Sequence, residues 1–577
     1  MPAAELKNGR IEIASEYRER EMIKLLPGGR WDTRAQTWWA PLSWATCIQL
    51  RGIFGSILQV GPELGAWAKN ERETRVDPCL ALRVAEDATL GEAFSDLYPF
   101  QRAGIKLMAT SQQALNADSM GLGKTVQGIL ALELIGDDAF PALVVCPNSM
   151  KFKWQEEYSK WAPHRRTVVI TGGKAARVKQ IALIKEGEAD VGIINWEGLR
   201  GHSRLAGFGS MQLSENDKTP KELNEIGFQT VVADEAHRAK SPKAAQTRAL
   251  WWMGHHAKYR FMLTGTPIAN SPEDIWSLMH FVAPDEFPSK TKFIDRYGLQ
   301  SWNMFGGRDI VGLKSEHKEE LFKILDPRFI RRTKEAVLPE LPPAIPITRT
   351  VEMSPKQKGA YEMMRKEMIA ELESGLLVVT NPLARMTRLL QFASAYGEVD
   401  EGGNLILTDP SCKVDALLEI VDELGDDRAI VFAESRQLIE LAHKHLIRAK
   451  PHGPGLQVGL ITGNVDVIDR NKYIADFNAG KLPLMLMTLG AGGEGLSFPG
   501  CSTAIFLQRS FSFVKNTQAE DRIRGIGRGT AGVPPTIIDI ITLNTIESRV
   551  HEVRQEKADQ LEEVARDKEV LFQWLMK

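Results

Sequence analysis

A glycine-rich loop with a lysine is the first part of this 577-residue sequence that could do chemistry. The loop reads ADSMGLGKTV and covers residues 117–126. Gly121 and Gly123 permit a tight backbone path in which successive N–H groups converge on an anion, and the helix that follows would point its positive end at the same place. In such a loop Lys124 would reach the β and γ phosphates of a nucleotide, and Thr125 would offer its hydroxyl to Mg²⁺.

Two adjacent carboxylates further along the chain decide how that loop is interpreted. Asp118 stands where the pattern G-x-x-x-x-G-K-[ST] has its first glycine, so the loop alone is equally consistent with an ordinary glycine-containing turn. The segment QTVVADEAH, however, predicts a buried strand that ends in Asp234 and Glu235, at the sheet edge where α/β proteins bind ligands. There Asp234 would hold Mg²⁺ through water, and Glu235 would orient and deprotonate an attacking water. Paired acids at a strand end are otherwise caps or surface charges, but the upstream lysine loop favours a nucleotide site.

Continuous apolar runs predict the strands that would carry these loops. The first set is ALVVCP, DVGIINW, QTVVADEAH and RFMLTGTP, and the second is RAIVFAES, LQVGLITG, LPLMLMTLG, STAIFLQRS and PTIIDIITL. Runs that do not alternate with polar residues are typical of parallel strands covered by helices on both faces. The predicted fold class is therefore α/β, with two tandem parallel-sheet domains. Residues 270–425, between the sets, show the apolar spacing of helices, and the proline-rich segment 338–348 is predicted to run extended between the domains.

The two ends of the chain predict smaller units. Residues 1–90 contain LPGGRWDTRAQTWWAPLSW, in which a Gly-Gly turn and a polar loop separate aromatic-rich extended pieces, so we expect a small α+β module built on a hairpin. Residues 551–577 carry mixed charges and predict one helix, for which a solvated surface helix is favoured over a partner-binding coil. The predicted domains are 1–90, 93–340, 346–550 and 551–577.

Composition and apolar patterning predict where the protein is located and which kinds of partner and metal site to expect. No apolar run reaches the ~20 residues of a membrane span, and the opening segment lacks the apolar stretch of a secretory signal. We therefore expect a cytoplasmic or nucleoid-associated protein without a membrane partner, in a bacterium or a phage-infected cell. The five cysteines are scattered, with no C-x-x-C pair, so we expect reduced thiols and no zinc site. A net charge of −2 neither indicates nor excludes a nucleic-acid partner.

Six segments resemble, in order and spacing, the motifs of the SWI/SNF-type (sucrose non-fermenting) helicase-like ATPases of superfamily two. They are DSMGLGKT, DEAHRAK, LTGTPIAN, IRRTKEAVLPELPP, LMTLGAGGEGLSF and QAEDRIRGIGR, and the resemblance covers residues 93–550. That group also has aspartate at the position of Asp118, so the resemblance implies that the loop binds ATP with Mg²⁺. It further implies that both α/β domains are RecA-like and that the chain is a DNA-dependent ATPase.

The resemblance also implies roles for residues that would otherwise rate as core or loop. Gln101, in LYPFQRAGI, would read the edge of the adenine base. Thr264 and Thr266 are similar to the residues that couple nucleotide state to domain closure. The nucleic-acid side of the first domain is implied to include Trp154, Glu157, Asn195, Trp196 and Glu197.

In the second domain the resemblance implies the other half of an interdomain cleft. GAGGEGLS places Gly492, Gly493 and Gly495 where backbone must approach a phosphate, with Gly493 on the ATP side and Gly492 on the DNA-coupling side. Arg522 resembles the arginine that faces the γ phosphate from the opposite domain. We therefore expect hydrolysis to depend on closure of the two domains.

Two positions depart from the group's pattern. Gly525 stands where the group has a second arginine, and Arg524 and Arg528 lie on either side of it. Either a neighbouring arginine takes over or hydrolysis is weakened. Ser119 replaces an acidic residue of the group's loop. We expect this change to adjust the properties of the loop and not to abolish the nucleotide site.

The resemblance implies an ATP-dependent translocase on double-stranded DNA. Such a protein would remodel or reanneal branched or protein-bound DNA in replication, repair or recombination. The stretch IKLLPGGRWDTRAQTWWAPL resembles the HARP module of the annealing-helicase and fork-remodelling branch, which favours forked or branched DNA as a partner. Trp31, Trp38 and Trp39, beside Arg30 and Arg34, would stack on unpaired bases, although tryptophans in a small domain are more often its core. Two alternatives stay open: a strand-separating helicase, and a nucleotide-gated DNA-binding scaffold with weak ATPase activity.

Overall fold

The computed structural model divides the chain into two compact units, Met1–Val337 and Leu338–Lys577. It describes residues 2–265, 272–302, 308–339, 342–373, 382–399, 405–448, 456–492, 496, 498, 500–523 and 534–557. Within this described part of the chain, no helix is both long and apolar enough to cross a membrane.

The first unit begins with a small α+β module. Its sheet has the strand order β3-β4-β2-β1-β5, with β1 antiparallel to β2 and parallel to β5. The predicted hairpin is β3–β4, where Arg30 lies opposite Trp39 and Trp31 opposite Trp38. Ile11 packs into the core under the sheet. The elements are β1 (Ala3–Lys7), β2 (Arg10–Ala14), α1 (Arg20–Lys24), β3 (Arg30–Asp32), β4 (Thr37–Pro41), α2 (Trp44–Phe54), β5 (Gln59–Val60), α3 (Pro62–Glu71) and α4 (Asp77–Val84).

A seven-stranded parallel sheet forms the centre of the first unit, in the order β14-β6-β11-β10-β7-β9-β8. Successive side chains of β10 enter different cores, Val231 on one face and Val232 on the other, which explains its continuous apolar sequence. The strands are β6 (Gln113–Asn116), β7 (Ala142–Cys146), β8 (Thr167–Val169), β9 (Val191–Asn195), β10 (Thr230–Asp234), β11 (Tyr259–Leu263) and β14 (Phe329–Ile330), with a separate hairpin of β12 (Gly298–Trp302) and β13 (Arg308–Leu313). The helices are α5 (Pro99–Ser111), α6 (Lys124–Ile135), α7 (Lys151–Trp161), α8 (Lys174–Lys185), α9 (Trp196–His202), α10 (Glu215–Lys218), α11 (Ala245–His255), α12 (Pro272–Val282), α13 (Lys290–Tyr297), α14 (Ser315–Leu325) and α15 (Lys334–Val337).

The N-terminal module is attached to this unit through α2, α13 and α14. The Gln49 amide donates to the Tyr297 hydroxyl at 3.0 Å, and that hydroxyl donates to Glu320 at 2.7 Å. The Trp44 indole donates to the Lys323 carbonyl at 3.2 Å. The two bonds of Tyr297 are buried or half-buried, and the three together fix the module in place instead of leaving it on a flexible linker.

The second unit repeats the same plan with a six-stranded parallel sheet, in the order β15-β22-β21-β18-β20-β19. Val431 and Phe432 of its central strand again enter separate cores on the two faces. The strands are β15 (Ile345–Val351), β18 (Ala429–Ala433), β19 (Val458–Ile461), β20 (Leu484–Thr488), β21 (Thr503–Phe506) and β22 (Thr536–Thr542), with a hairpin of β16 (Tyr396–Val399) and β17 (Leu405–Thr408). The helices are α16 (Pro355–Glu373), α17 (Pro382–Ser394), α18 (Cys412–Leu424), α19 (Arg436–Arg448), α20 (Val467–Asn478), α21 (Leu489–Gly492), α22 (Phe513–Glu520) and α23 (Ile546–Lys557).

The predicted fold class is confirmed, since both sheets are parallel and covered by helices. All nine predicted strands are present as β7, β9, β10, β11 and β18 to β22. Within 270–425 the helices are joined by two hairpins, β12–β13 and β16–β17, that the helical spacing did not predict. The segment 338–348 includes the start of β15, which pairs with β22.

Candidate nucleotide-binding site

The glycine-rich loop joins β6 to α6 and has the backbone conformation that its sequence requires. Gly121 has φ of +79° and Gly123 has φ of +75°, in the left-handed region that favours glycine. A Cβ atom on Gly123 would also overlap the side-chain amide of Gln101. Because α6 begins at Lys124, its first N–H groups face the same loop, as in phosphate-binding helix N-termini.

Lys124 is held at this loop by backbone acceptors. Its Nζ donates to the carbonyl of Asp118 at 2.8 Å and to that of Ser119 at 3.2 Å. Gly265, two residues after the end of β11, lies beside the lysine, since a Cβ atom on it would be 3.2 Å from Nζ. The ends of β6 and β11 therefore meet at the lysine. Thr125 follows it on the first turn of α6, half-buried.

Asp118 is a buried residue that attaches the loop to Arg332. It is fully buried, and Arg332 grips it with two parallel hydrogen bonds, Nε to Oδ1 at 3.1 Å and Nη2 to Oδ2 at 2.8 Å. The backbone N–H of Arg332 adds a third bond at 3.0 Å, and the Gln127 amide a fourth at 3.3 Å. Where a common P-loop has a glycine, this chain ties the loop to the segment after β14. Arg332 stands in the motif IRRTKEAVLPELPP, but its type and position did not predict this partner.

The two acidic residues lie at the carboxyl end of β10. The Trp154 indole donates to Asp234 Oδ2 at 2.9 Å, and the N–H of Glu235 donates to Oδ1 at 2.9 Å. Burial and the neighbouring charge of Glu235 raise the pKa of Asp234 to about 6. The Trp154 hydrogen bond and the charge of Lys124 oppose that rise without cancelling it. A buried carboxylate whose charge is disfavoured in this way fits a site for a divalent cation.

Glu235 is directed by an unusual backbone conformation. Its φ is 49° and its ψ is 51°, a left-handed conformation that non-glycine residues seldom adopt. Its side chain approaches His237, with Oε2 and Nδ1 3.3 Å apart. Such backbone strain is concentrated at functional sites, where it aims a side chain.

The remaining predicted residues of the first unit make internal contacts. Gln101 accepts from the Tyr98 N–H and donates to the Leu122 carbonyl, both at 3.1 Å, and so links the start of α5 to the loop. Its reading of adenine stays a prediction. Thr264 is buried, and its N–H donates to the Asn116 carbonyl at 3.0 Å. Thr266 lies outside the described residues.

The residues predicted for the nucleic-acid side gather around β9 and β10. Trp154 is fully buried beneath Asp234, so the structure gives it the task of positioning that carboxylate. The Trp196 indole donates to the Asp234 carbonyl at 3.0 Å, and the Asn195 amide donates to Glu197 at 2.8 Å. A role in DNA contact or coupling stays a prediction for these residues and for Glu157.

In the second unit, Arg522 follows α22 and donates from Nη1 to the Leu496 carbonyl at 2.6 Å. Leu496 belongs to the glycine-rich segment, so the arginine and that segment adjoin. Gly492 ends α21. Gly493, Gly495, Arg524, Gly525 and Arg528 lie outside the described residues.

Two protein-family models match most of this chain. The model of the SNF2-related domain matches residues 100–395, and that of the helicase conserved C-terminal domain matches residues 412–528. Among relatives, the transcription regulatory protein SNF2 of Saccharomyces cerevisiae is 26% identical over 79% of this chain. An uncharacterized ATP-dependent helicase of Mycoplasma genitalium is 27% identical over 81%. The chain spans 26% and 42% of the lengths of these two proteins, respectively.

A solved structure of the Sulfolobus solfataricus SWI2/SNF2 ATPase core in complex with double-stranded DNA covers 83% of this chain at 22% identity, with a TM-score of 0.37. The match covers 95% of the archaeal chain. The first family model alone accounts for just over half of the residues. The resemblance predicted from the six motifs is thereby confirmed at the level of the family. The chain belongs to the SNF2-related family of helicase-like ATPases.

Proposed function

We propose that this chain is an ATP-dependent translocase on double-stranded DNA. The observation that carries the proposal is the position of the chemistry on the sheet. The lysine loop follows β6, Gly265 follows β11 and the two acids follow β10, and these three parallel strands are direct neighbours. Their carboxyl ends therefore bring a phosphate cradle and a carboxylate pair to one edge, where α/β sheets bind ligands.

Each group at this edge has a chemical task. The glycine-loop N–H groups and Lys124 bind the β and γ phosphates of ATP, and Thr125 and Asp234 hold Mg²⁺. When bound, Mg²⁺ neutralises charge on the phosphates. Glu235 orients the attacking water and accepts its proton. Trp154 keeps Asp234 in place from below.

The second unit would complete the reaction. Arg522 approaches the γ phosphate, Gly493 contributes backbone, and Thr264 and Thr266 relay the nucleotide state to closure of the units. Such a shared site would require both units for each hydrolysis event. Alternating grips of the units on the DNA backbone would then move the protein along the duplex without reading its sequence.

Forked or otherwise branched DNA is the substrate that we propose within this class, with remodelling or reannealing as the outcome. The support comes from the β3–β4 hairpin. The Trp39 ring has the guanidinium of Arg10 at 5.2 Å and that of Arg30 at 5.4 Å from its centroid, and Trp31 is 42% exposed. The arginines flank Trp39, whereas Trp31 is the exposed indole of the hairpin, and an exposed indole is suited to stacking on an unpaired base.

The test is the ATPase rate of the full chain on single-stranded, duplex and forked DNA, run together with a strand-displacement assay. We expect stimulation by duplex, further stimulation by forks, and no displaced strand. Displacement of a strand would favour a helicase. Negligible turnover on every DNA would favour a nucleotide-gated scaffold and contradict the proposal.

The fork preference is tested by Trp31→Ala. Loss of one stacked base weakens binding by about 1–3 kcal/mol, so fork stimulation should fall severalfold while duplex stimulation persists. Tyr17→Ala is the matched control, because Tyr17 is an exposed aromatic residue of the same module outside the hairpin. Deletion of the module is a poor test, since Cys79 of α4 packs into the core around α5. Equal fork preference in Trp31→Ala would assign this tryptophan to structure alone.

A further inference from the structure

A polar cavity on the first unit lies outside the nucleotide-binding loop and is assigned to no function above. Its volume is about 740 Å³, within the range of ligand sites. Its wall is formed by the start of α8, the end of α9, the segment around α10 and the first turns of α11. The cationic side chains in this wall are Lys174, Arg200, Lys221 and Arg248, and the acidic ones are Asp217, Glu222 and Glu225.

Arg248 is the residue of the cavity that most strongly indicates a bound anion. It is only 5% exposed, and its Nε donates to the Ala206 carbonyl at 2.9 Å. Its Nη2 is buried and has no hydrogen-bond partner. A buried guanidinium with an unused N–H costs free energy unless an anion completes it. Because Arg248 lines the cavity, an anion bound there can supply the acceptor that its guanidinium lacks.

The other charges of the cavity leave an excess of positive charge. Among the residues that the structure describes, no carboxylate lies within 4.0 Å of a cationic nitrogen of Lys174, Arg200, Lys221 or Arg248. The three acids reduce this excess without cancelling it, and the positive charge of Lys174 helps to lower the pKa of Glu222. Glu222 contacts His202 at 3.1 Å, Glu225 contacts Lys185 at 2.7 Å, and Asp217 accepts from the Ser214 hydroxyl at 2.8 Å.

The wall that presents Arg248 is held in place before any ligand arrives. The N–H of Ala206 donates to the Arg248 carbonyl at 3.0 Å, and the N–H of Leu205 donates to the Asp217 carbonyl at 2.9 Å. The N–H of Arg204 donates to the Asn224 side chain at 2.9 Å. These bonds fix the segment between α9 and α10 against α11, so an anion that binds there has little ordering cost to meet.

We propose that this cavity is a second phosphate-binding site of the first unit, separate from the ATP loop. The planar guanidinium of Arg248 matches phosphate oxygens, and three further cations can neutralise more than one phosphate group. The phosphates come either from a nucleic-acid backbone or from a free polyphosphate compound. The site does not depend on the proposed translocation, because the described lining contains no residue of the ATP loop or of the acidic pair.

The first test measures binding of inorganic tripolyphosphate to the full chain by titration calorimetry. Lys124→Ala is present throughout, so that the ATP loop does not compete. We expect Arg200→Ala and Lys221→Ala each to raise the dissociation constant about tenfold or more. Lys179→Ala is the matched control, because Lys179 is an exposed lysine of α8 that does not line the cavity. Equal binding in all variants, or none in the parent chain together with an unaltered DNA affinity, overturns the proposal.

Arg248→Met separates binding from packing. Removal of an uncompensated buried charge should abolish tripolyphosphate binding without lowering the midpoint of thermal unfolding. A lower midpoint with binding retained would assign Arg248 to packing and overturn the proposal.

The second arm identifies the source of the phosphate. With Lys124 intact, the affinity for duplex DNA is measured against salt concentration. A backbone source predicts that Arg200→Ala lowers the slope of log affinity against log salt by about 0.9, whereas Lys179→Ala leaves it unchanged. An unchanged slope with weakened tripolyphosphate binding identifies a free phosphate compound. Failure of the translocase proposal would show in the ATPase rate and leave both measurements as they are.

Discussion

At the scale of single residues, the loop shows how a distant residue can accommodate a departure from the general P-loop pattern. Asp118 occupies a glycine position, and Arg332 satisfies its carboxylate from 214 residues away. The same arginine accepts from the Ser119 N–H at 2.9 Å through its carbonyl. The side chain and the backbone of Arg332 thus both hold the loop to the segment after β14. The Asp118–Arg332 pair keeps the loop in position beside β6.

Introducing the glycine of the general P-loop pattern at position 118 should therefore harm this protein. Asp118→Gly leaves the Arg332 guanidinium buried without its carboxylate, which typically costs about 3–5 kcal/mol. We expect an unfolding free energy lower by that order and weaker ATP binding, measured by denaturant unfolding and nucleotide titration. Ser119→Ala is the control, because the backbone N–H that contacts Arg332 is retained. A glycine variant as stable as the parent would show that the ion pair contributes little.

The catalytic assignment makes a second prediction at this scale. Lys124→Ala should weaken ATP binding and abolish DNA-stimulated hydrolysis, since the phosphates lose their cation. Glu235→Gln keeps the shape of the side chain but cannot accept a proton, so ATP should still bind while hydrolysis stops. Both variants should keep the circular dichroism spectrum of the parent. Full ATPase activity in either variant would refute the site.

At the scale of elements, α11 and α12 are joined by an aromatic cluster with a titratable centre. His280 stacks on Trp276 with centroids 4.8 Å apart and meets the edge of Trp251 at 4.6 Å. Its Nδ1–H donates to the Phe287 carbonyl at 2.8 Å. Burial lowers the pKa of His280 to about 4, although the hydrogen bond to Phe287 opposes the change. The cluster therefore holds a neutral histidine at physiological pH.

This cluster predicts an acid-sensitive first unit. The pKa of His280 is about 4 in the folded chain against 6.5 for the free side chain, so between these values the unfolded state binds one more proton. Stability is then complete above pH 6.5 and falls as pH decreases towards 4, by about 3 kcal/mol in total. Denaturant unfolding at several pH values, followed by fluorescence of the flanking tryptophans, measures the loss.

His280→Gln should flatten that pH dependence. His255, Arg260 and Asp285 also act on His280, with His255 and Arg260 disfavouring its charge and Asp285 favouring it. His255→Gln is the matched control, because His255 is an exposed histidine of α11. This variant should keep most of the dependence of stability on pH. An unchanged slope in His280→Gln would place the acid sensitivity elsewhere.

At the scale of the whole molecule, both units are built on a parallel sheet. The residues that we propose for catalysis are divided unequally between them. The lysine loop and the acidic pair lie in the first unit, and Arg522 lies in the second. In the function that we propose, ATP is hydrolysed only when both units participate. That division is what would convert one hydrolysis event into a relative movement of the units.

Arg522→Ala tests this dependence. ATP binding should persist, because the phosphate cradle is intact, while turnover should fall by about 10³-fold or more, the usual effect of losing such an arginine. Arg436→Ala is the control, since Arg436 is a surface arginine paired with Glu440 at 3.6 Å. Single-turnover and steady-state ATPase rates give the comparison. Undiminished turnover would mean that the first unit hydrolyses ATP by itself.

The sequence by itself determined the features that depend on local pattern. Continuous apolar runs predicted the buried parallel strands, the two glycines predicted a tight backbone path in the loop, and the end of a strand placed Asp234 and Glu235 at the sheet edge. Short strands such as β6 and β8 were not predicted, since they are stabilised mainly by their neighbours. The local sequence pattern is sufficient to predict a feature whose geometry is set by the backbone of that segment alone.

Only the tertiary structure decided which side chains meet. Asp118 and Arg332 are 214 residues apart, and Trp154 reaches Asp234 across 80 residues. The Arg248 cavity likewise draws on four separate helices and the segments between them. A buried charge or indole N–H can be satisfied by many partners of the right type, so its sequence position does not select one. The packing of the sheets makes that selection, because it alone sets the distances.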